Sequence, residues 1–478
     1  MFGSALRKTR GLDFWSLIVG LALLYACLHA GEIQSDTLFH IKTGEWIALH
    51  KAIPRTDVFS WTVSGFPWVA HEWLWDLLAY LLYGALGKWG TFLLTSAGVT
   101  MYGLTLWGLL KRRSPLPVAA IIFISALASL DYIWCARPHV VAQGFFALTM
   151  YILFTAEEKP SRLWLLPAIA LAWVNVHSSA PLGVLLAAGV FASSWVGLGP
   201  LSKTTCRKFA VIPLATAGAS LINPYGPAIW KYALFVSTHG EFTKYIDEWL
   251  SPNFQNAGML LGLFLMVALV GAAGMKKNKD FLLEGVLAAV TCAAWLYSVR
   301  HMPYFAFCGS LLAGSVAGSF LQKEDLRLIS KCVPVLLLAG TLLLNASVIP
   351  VAWAKSDYIS RLFPVKAVDY MQEHGLTKSV FNFYYWGGYL IFRNVPVFVD
   401  GRADVYEMSG KPVFRDTLDA FNARETKKAA DPTDILDKWG ARAVLVPPGY
   451  VINVILEQNK EWKEVYRDEA AVVYKRVD

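Results

Sequence analysis

The stretch Gly31–Asp76, GEIQSDTLFHIKTGEWIALHKAIPRTDVFSWTVSGFPWVAHEWLWD, decides how this chain is read. It follows the first apolar run and is the longest polar interruption before the C-terminal region. Asp36, His40, Lys42, Glu45, His50, Asp57, His71, Glu72 and Asp76 stand in it among tryptophans and phenylalanines. A plain connector between two membrane spans does not need that density of ionisable and aromatic side chains. The stretch reads as the floor of a site at a membrane surface.

Composition supports the membrane. Of 478 residues, 56% are hydrophobic and 16% charged, whereas soluble domains have roughly 45–50% apolar and about 25% charged residues. Long apolar runs recur, so the chain reads as a polytopic α-helical membrane protein. The net charge of +8 sits in short gaps between spans, which is a topology signal and gives no reason to expect nucleic acid as a partner. The cysteines (27, 135, 206, 292, 308, 332) form no CxxC pair and read as small buried apolar residues. The N-terminal run MFGSALRKTRGLDF resembles the basic start of a signal peptide, but no small-x-small cleavage site follows, so the first span is expected to stay uncleaved.

Expected spans are Trp15–Ala30, Gly90–Leu110, Leu116–Leu130, Val140–Phe154, Leu163–Trp173, Leu182–Gly197, Phe209–Leu221, Gly258–Gly274, Phe281–Tyr297, Tyr304–Phe320 and Val333–Trp353, about eleven transmembrane helices. Leu74–Leu86 is too short to span comfortably and reads as a membrane-parallel or re-entrant helix. Arg7, Lys8 and Arg10 place the N-terminus in the cytoplasm. The inner loops then carry Lys111-Arg112-Arg113, Lys159/Arg162, Lys203/Arg207/Lys208, Lys276/Lys277/Lys279 and Lys323/Arg327. Promoting Leu74–Leu86 to a span would put every one of those clusters outside, against the positive-inside rule.

The outer face then holds the opening stretch, the turns Asp131–His139 and Asn175–Ser179, the loop Asn223–Asn256, Arg300-His301 and the tail from Lys355. Residues 1–354 form the membrane domain, with 31–89 as first extracytoplasmic loop and 223–256 as a long outer loop; residues 355–478 form a soluble α/β domain. In the tail, Lys366–His374 and Pro432–Trp439 read as helices, and Ser379–Phe383, Val395–Val399, Ala443–Pro447 and Val472–Tyr474 as strands. Strand order is not legible. Histidines 40, 50, 71, 139, 177, 239 and 301 all fall on the outer face, a one-sided collection that suggests a site there.

Several residues are suited to chemistry. A lipid-linked phosphate or pyrophosphate needs cations or N–H donors at headgroup level; Arg137, His139, Arg300 and His301 supply them, with interfacial snorkelling as the alternative. His71-Glu72 opens the short helix and could pair with Asp36. Asn175 and His177, in a tight turn, either cap helices or line the cavity. Asn223-Pro224-Tyr225-Gly226 reads as a helix-ending turn, and Glu241, Asp247 and Glu248 as a solvated acidic loop. Asp400 and Arg402, after a buried strand, either bind an acceptor or pair with each other to hold the tail against the membrane half. His40, His71 and a carboxylate could hold a divalent metal, although no HxxxH or HExxH spacing is present. No cofactor motif appears.

A single carboxylate past the outer end of span one, followed by an interfacial helix, resembles the GT-C class of membrane glycosyltransferases. The long loop after span seven and the soluble outer tail resemble the layout of the oligosaccharyltransferase catalytic subunit. Tyr384-Tyr385-Trp386-Gly387-Gly388-Tyr389-Leu390 looks like that family's WWDYG signature, with Gly387 where the signature has aspartate. Asp36-x-x-x-His40 with Gly44, Ala136-Arg137-Pro138-His139, Asn175-Val176-His177, Asn223-Pro224-Tyr225-Gly226 and Phe398-Val399-Asp400-Gly401-Arg402 are similar to a group of bacterial membrane proteins with a GT-C-type layout. The resemblance implies a GT-C-like bundle with a small extracytoplasmic α/β domain. It implies a polyprenyl-phosphate-linked sugar donor, and an acceptor that is a glycan, lipid or protein. It places Asp36 as general base with His40, His71 and Glu72 beside it, and Trp386 and Tyr389, with Asp400 and Arg402, at the acceptor. Asp36 and Asp131 resemble the acids that hold a metal in metal-dependent members. The implied location is a bacterial inner membrane. Two other classes compete: a transporter or flippase of a lipid-linked glycan, and a non-catalytic envelope assembly protein. No internal repeat supports transport, and Glu284, the clearest acid within a span, lies near its cytoplasmic end.

Overall fold

The structure, a computed structural model, describes residues 14–477 apart from 132, 239–245, 256–280 (of which 259, 262 and 266 are described), 322–325, 354–361 (of which 359 is described) and 422–430. The basic flank Arg7, Lys8 and Arg10, most of the expected span Gly258–Gly274, and His239, Glu241, Lys276, Lys277, Lys279 and Lys323 lie outside the described residues.

The first helix, α1 (Phe14–Ala30), turns by 72° into α2 (Ser35–His50). The bend is held from both sides. The Gln34 N–H donates to Thr37 Oγ1 at 3.0 Å, Thr37 Oγ1 donates to the Ala136 carbonyl at 2.9 Å, and the Ala136 N–H donates to the Glu32 carbonyl at 3.1 Å. The turn before Arg137 is thereby tied to the first turn of α2. Next comes α3 (Trp73–Leu86), 14 residues long, so about 21 Å and short of a bilayer core. Gly44 lets α3 lie directly on α2: a Cβ there would stand 2.0 Å from the Asp76 carbonyl oxygen.

The bundle continues through α4 (Lys88–Arg113), α5 (Leu116–Ala128), α6 (Pro138–Thr155), α7 (Leu165–Val176), α8 (Pro181–Trp195), α9 (Lys203–Lys208), α10 (Ile212–Ser220) and α11 (Ala228–Thr238). It closes with α12 (Leu282–Tyr297), α13 (Met302–Phe320) and α14 (Leu326–Trp353). Lys88–Arg113, Pro138–Thr155 and Val299–Phe320 are long and apolar enough to cross a membrane on their own, and shorter apolar helices pack around them. This is an integral membrane protein. Two of the expected spans coincide with short helices among the described residues. Leu163–Trp173 is a 3-10 turn plus a helix of 12 residues, and Phe209–Leu221 holds a helix of only 9. Apolar composition alone does not supply the roughly 20 helical residues that a span requires. At one end of the bundle Arg112 pairs with Glu158, and Arg113 Nε reaches Glu284 at 3.0 Å. Asp36 and Arg137 lie at the other end.

The tail holds α15 (Val365–Glu373), α16 (Gly387–Phe392), α17 (Ala403–Met408), α18 (Val413–Phe421), α19 (Pro432–Trp439) and α20 (Val451–Gln458) around a small sheet. The strands are β1 (Val380–Asn382), β2 (Ala443–Val446), β3 (Trp462–Arg467) and β4 (Val472–Arg476), in the order β1-β2-β4-β3. The β1–β2 pair is parallel and the other two pairs are antiparallel. Val395–Val399, expected as a strand of this sheet, is extended but pairs elsewhere. The Val397 N–H donates to the Phe59 carbonyl at 3.1 Å and the Val397 carbonyl accepts from the Trp61 N–H at 3.0 Å, so its partner is the first loop. Asn382 holds the segment from behind, accepting from Phe398 N–H at 2.8 Å and donating to the Val399 carbonyl at 2.9 Å.

Loop and tail share a buried ionic clamp. Arg402 donates from Nη1 to Asp57 at 2.6 Å and from Nη2 and Nε to Asp400 at 2.7 and 2.8 Å. Tyr406 OH also donates to Asp400 and Ser60 Oγ to Asp57, and the guanidinium lies against both the Phe59 and the Trp68 ring. Removing one member of such a set leaves charge buried without a partner, at a cost of about 3–5 kcal/mol. Arg402→Met should therefore lower the thermal unfolding midpoint of the detergent-solubilised protein sharply, while Arg415→Met, on an exposed residue, should leave it within about 0.5 kcal/mol. Equal midpoints for the two variants would show that the clamp does not join loop to tail.

Candidate active site

The junction of α2, the turns before α6 and α8, the loop ahead of α12 and the tail encloses a polar cavity of about 210 Å³. Asp36 stands in the first turn of α2, where the helix dipole favours an anion. Its Oδ2 is 2.9 Å from Arg137 Nη2, the Arg137 fork reaches Glu248 at 3.2 Å, and Arg300 stands 3.9 Å from Glu248 with its guanidinium over the Trp249 ring. Two arginines and two carboxylates thus alternate across the cavity. Burial pushes the Asp36 carboxyl above the ordinary carboxylate range, and Arg137 offsets only part of that. Burial also works against the charge on Glu248, but Arg137 and Arg300 outweigh it and hold that carboxyl at about 2.

Glycines let the tail reach this point. A Cβ on Gly401 would fall 2.0 Å from Asp36 Oδ1, and one on Gly388 would fall 2.0 Å from the Ser35 carbonyl oxygen. The Gly388 N–H donates to Ser35 Oγ at 3.1 Å. Gly387, in the place of the signature aspartate, packs against Val399 and Asp400, where a Cβ would stand 2.4 Å from the Val399 carbonyl oxygen. The run Tyr384–Leu390 therefore docks the tail on α2. Trp386 and Tyr389 are buried in the core rather than on the cavity wall, with Tyr389 stacked on Phe363. Tyr384 is the residue of this run that faces the cavity.

A second group lies beside the Asp36 pair. His40 Nδ1 is 2.7 Å from Asp76, and Glu72 faces His40, His71 and His177. Burial raises the Glu72 carboxyl, but the three imidazoles, His71 first, overcome that and hold it well below its usual value.

Of the residues singled out in the sequence, Asp36, His40, His71, Glu72, Arg137, His139, His177, Arg300, His301 and Arg402 line this one cavity. Asp131 does not; its carboxylate accepts from Tyr25 OH at 2.6 Å. Asn175 lines a neighbouring apolar groove, accepting from Trp73 Nε1 at 3.1 Å and donating to the Leu171 and Ile222 carbonyls. Asp400 is wholly buried in the clamp. Glu248, read from the sequence as part of a solvated acidic loop, is instead an ion-pair partner of both arginines. Tyr232 and Asp404, hydrogen-bonded at 2.7 Å, are cavity residues that sequence reading missed. The amphipathic α11 that carries Tyr232 was the available signal.

No family model matches the chain, and neither does any curated protein sequence. Solved structures do match. The apo oligosaccharyltransferase of Archaeoglobus fulgidus aligns at a TM-score of 0.59 and 11% identity, over 91% of this chain and 70% of that one. The same enzyme tethered to an acceptor peptide containing the NVT sequon aligns at 0.57 and 10%, over 90% and 69%. Its complex with an inhibitory peptide and a dolichol-phosphate gives 0.58 and 9%, over 91% and 69%. At such identity the likeness is one of architecture, and on it this chain has the GT-C fold.

Proposed function

We propose that the protein is a membrane glycosyltransferase that moves a sugar from a polyprenyl-phosphate-linked donor to an acceptor. The observation that carries this reading is the enclosed Asp36 carboxylate facing Arg137, with Arg300 beyond it, in a GT-C fold. The archaeal enzyme of like fold has been solved with a dolichol-phosphate and with an acceptor peptide, and lipid phosphate is a ligand that the two arginines suit.

The chemistry follows from the charges. An acceptor hydroxyl or amide hydrogen-bonds to Asp36, attacks the anomeric carbon and yields its proton to that carboxylate. The bond from the anomeric carbon to the phosphate oxygen breaks, and the leaving phosphate takes the electron pair. Arg300, held only loosely by Glu248, is the cation free to meet that developing charge. Arg137, gripped by Asp36 and Glu248, keeps the base ionised and oriented. Attack opposite the phosphate inverts the anomeric centre. The cationic cluster Lys111–Arg113 at the end of the bundle away from the cavity supports a cavity and tail outside the cytoplasm, with the N-terminus inside. A bacterial inner membrane is the setting this implies. The gathering of ionisable groups at one end of the bundle favours transfer over transport, which would place them at mid-span.

Asp36→Asn should lower transfer from a polyprenyl-linked sugar by about 10²–10⁴-fold, with an unchanged elution profile from size exclusion; full activity in that variant would sink the assignment. The pH profile offers a second test. A carboxylate base works only above its pKa, burial has already raised that of Asp36, and Arg137 pulls it down. Arg137→Met should therefore move the acidic limb of the activity profile upward, by about 1–3 pH units. An unmoved limb would mean that Arg137 does not keep the base ionised.

A further inference from the structure

The Glu72 cluster is not used in the transfer step, and its geometry is unusual. Glu72 Oε1 stands 3.5 Å from His71 Nε2 and 3.6 Å from His177 Nε2, and Oε2 stands 3.7 Å from His40 Nε2. These separations lie outside the roughly 2.7–3.2 Å of an N–H···O hydrogen bond. They match the edge of a tetrahedron of donors around an ion: ligand atoms about 2.0–2.2 Å from zinc are roughly 3.4 Å apart. The ligand atoms of His71, Glu72 and His177 all lie within 4.8 Å of one another.

Both rings are anchored at Nδ1, with Nε2 turned toward Glu72. His71 Nδ1 sits 3.2 Å from the Val69 carbonyl oxygen, which can only accept, so the proton of the neutral ring is on Nδ1. Nε2 faces the Glu72 carboxylate, and a cation held between the two, proton or metal ion, satisfies both. His177 Nδ1 has the Ser179 hydroxyl at 2.9 Å and the Ser179 N–H at 3.1 Å. The backbone N–H donates to Nδ1, which puts the proton of the neutral ring on Nε2; a metal at Nε2 takes that proton's place, and the ring then carries its proton on Nδ1, facing the hydroxyl. Behind them, Asp76 fixes His40 at 2.7 Å, and His40 Nε2 faces the outer oxygen of Glu72. Among the described residues, the ion pairs of Glu72 are all with imidazoles.

We propose that His71, Glu72 and His177 form a site for a divalent transition metal of the zinc class, three protein donors with the fourth position open to the cavity. Two imidazoles and a carboxylate are a donor set that suits zinc or cobalt and leaves room for an exchangeable oxygen. An anionic oxygen of a phosphate bound in the cavity is the class of ligand that completes it. The proposal rests on this geometry and does not depend on the transfer reading.

The test uses the purified full-length protein, stripped with chelator and then titrated with Zn²⁺ or Co²⁺. One metal per chain is expected, together with the strong visible absorption of four-coordinate cobalt. His177→Asn and His71→Gln should each weaken binding by more than ~100-fold, whereas Asp36→Asn, in the other ion-pair group, should retain the metal. Monodisperse wild-type protein that takes up no metal would overturn the proposal. So would uptake that survives the double histidine variant, or uptake lost only in Asp36→Asn, which would place the ion at the carboxylates of Asp36 and Glu248.

Discussion

Arg402, buried between Asp57 and Asp400, is the contact on which the rest of the structure depends. Its partner Asp57 is 345 residues away in sequence, and no local structure brings them together. Desolvating three charges is costly unless every hydrogen bond is made, and here guanidinium, carboxylates, Tyr406 and Ser60 complete the set. The first loop and the tail are thereby one body. The Val397 pairing with Phe59 and Trp61, and the glycine contacts at 388 and 401, extend that body onto the start of α2, beside Asp36.

The cavity is consequently a composite with a balanced field. Asp36 and Glu248 share Arg137, Glu248 also faces Arg300, and Glu72 is balanced by imidazoles rather than by a guanidinium. The two groups sit in one space but have different chemistry. One is a half-buried base with cations suited to a phosphate; the other is a set of nitrogen and oxygen donors at metal-ligand spacing. A polar site of this kind works only while its charges stay oriented, and the tail supplies that constraint.

Much of this was legible in the sequence because apolar run length, charge bias and turn chemistry are local signals. Leu74–Leu86 betrayed itself as too short to span, and Asp36, Arg137 and Arg300 stood out as charged groups at helix ends. Other features depend on long-range geometry. Val395–Val399 has the composition of a strand, but its partner is the first loop rather than the sheet. Gly387 and Gly388 look like a degenerate recognition signature until the clash that a Cβ would make with Val399 or Ser35 is seen. Glu248 sits in an acidic loop whose composition says solvent, and only the approach of Arg137 makes it part of the site. In two apolar runs, around Leu165 and Ile212, the helices have 12 and 9 residues, a length that hydropathy does not reveal.

The most direct test of the central claim, that the Asp36–Arg137 cavity is where a lipid-linked sugar reacts, is a structure of the protein with a bound polyprenyl phosphate. The phosphate should lie within hydrogen-bond distance of Arg300 or Arg137, with the Asp36 carboxylate facing it across the cavity. A phosphate bound elsewhere while the cavity stays closed around Asp36 would contradict the account.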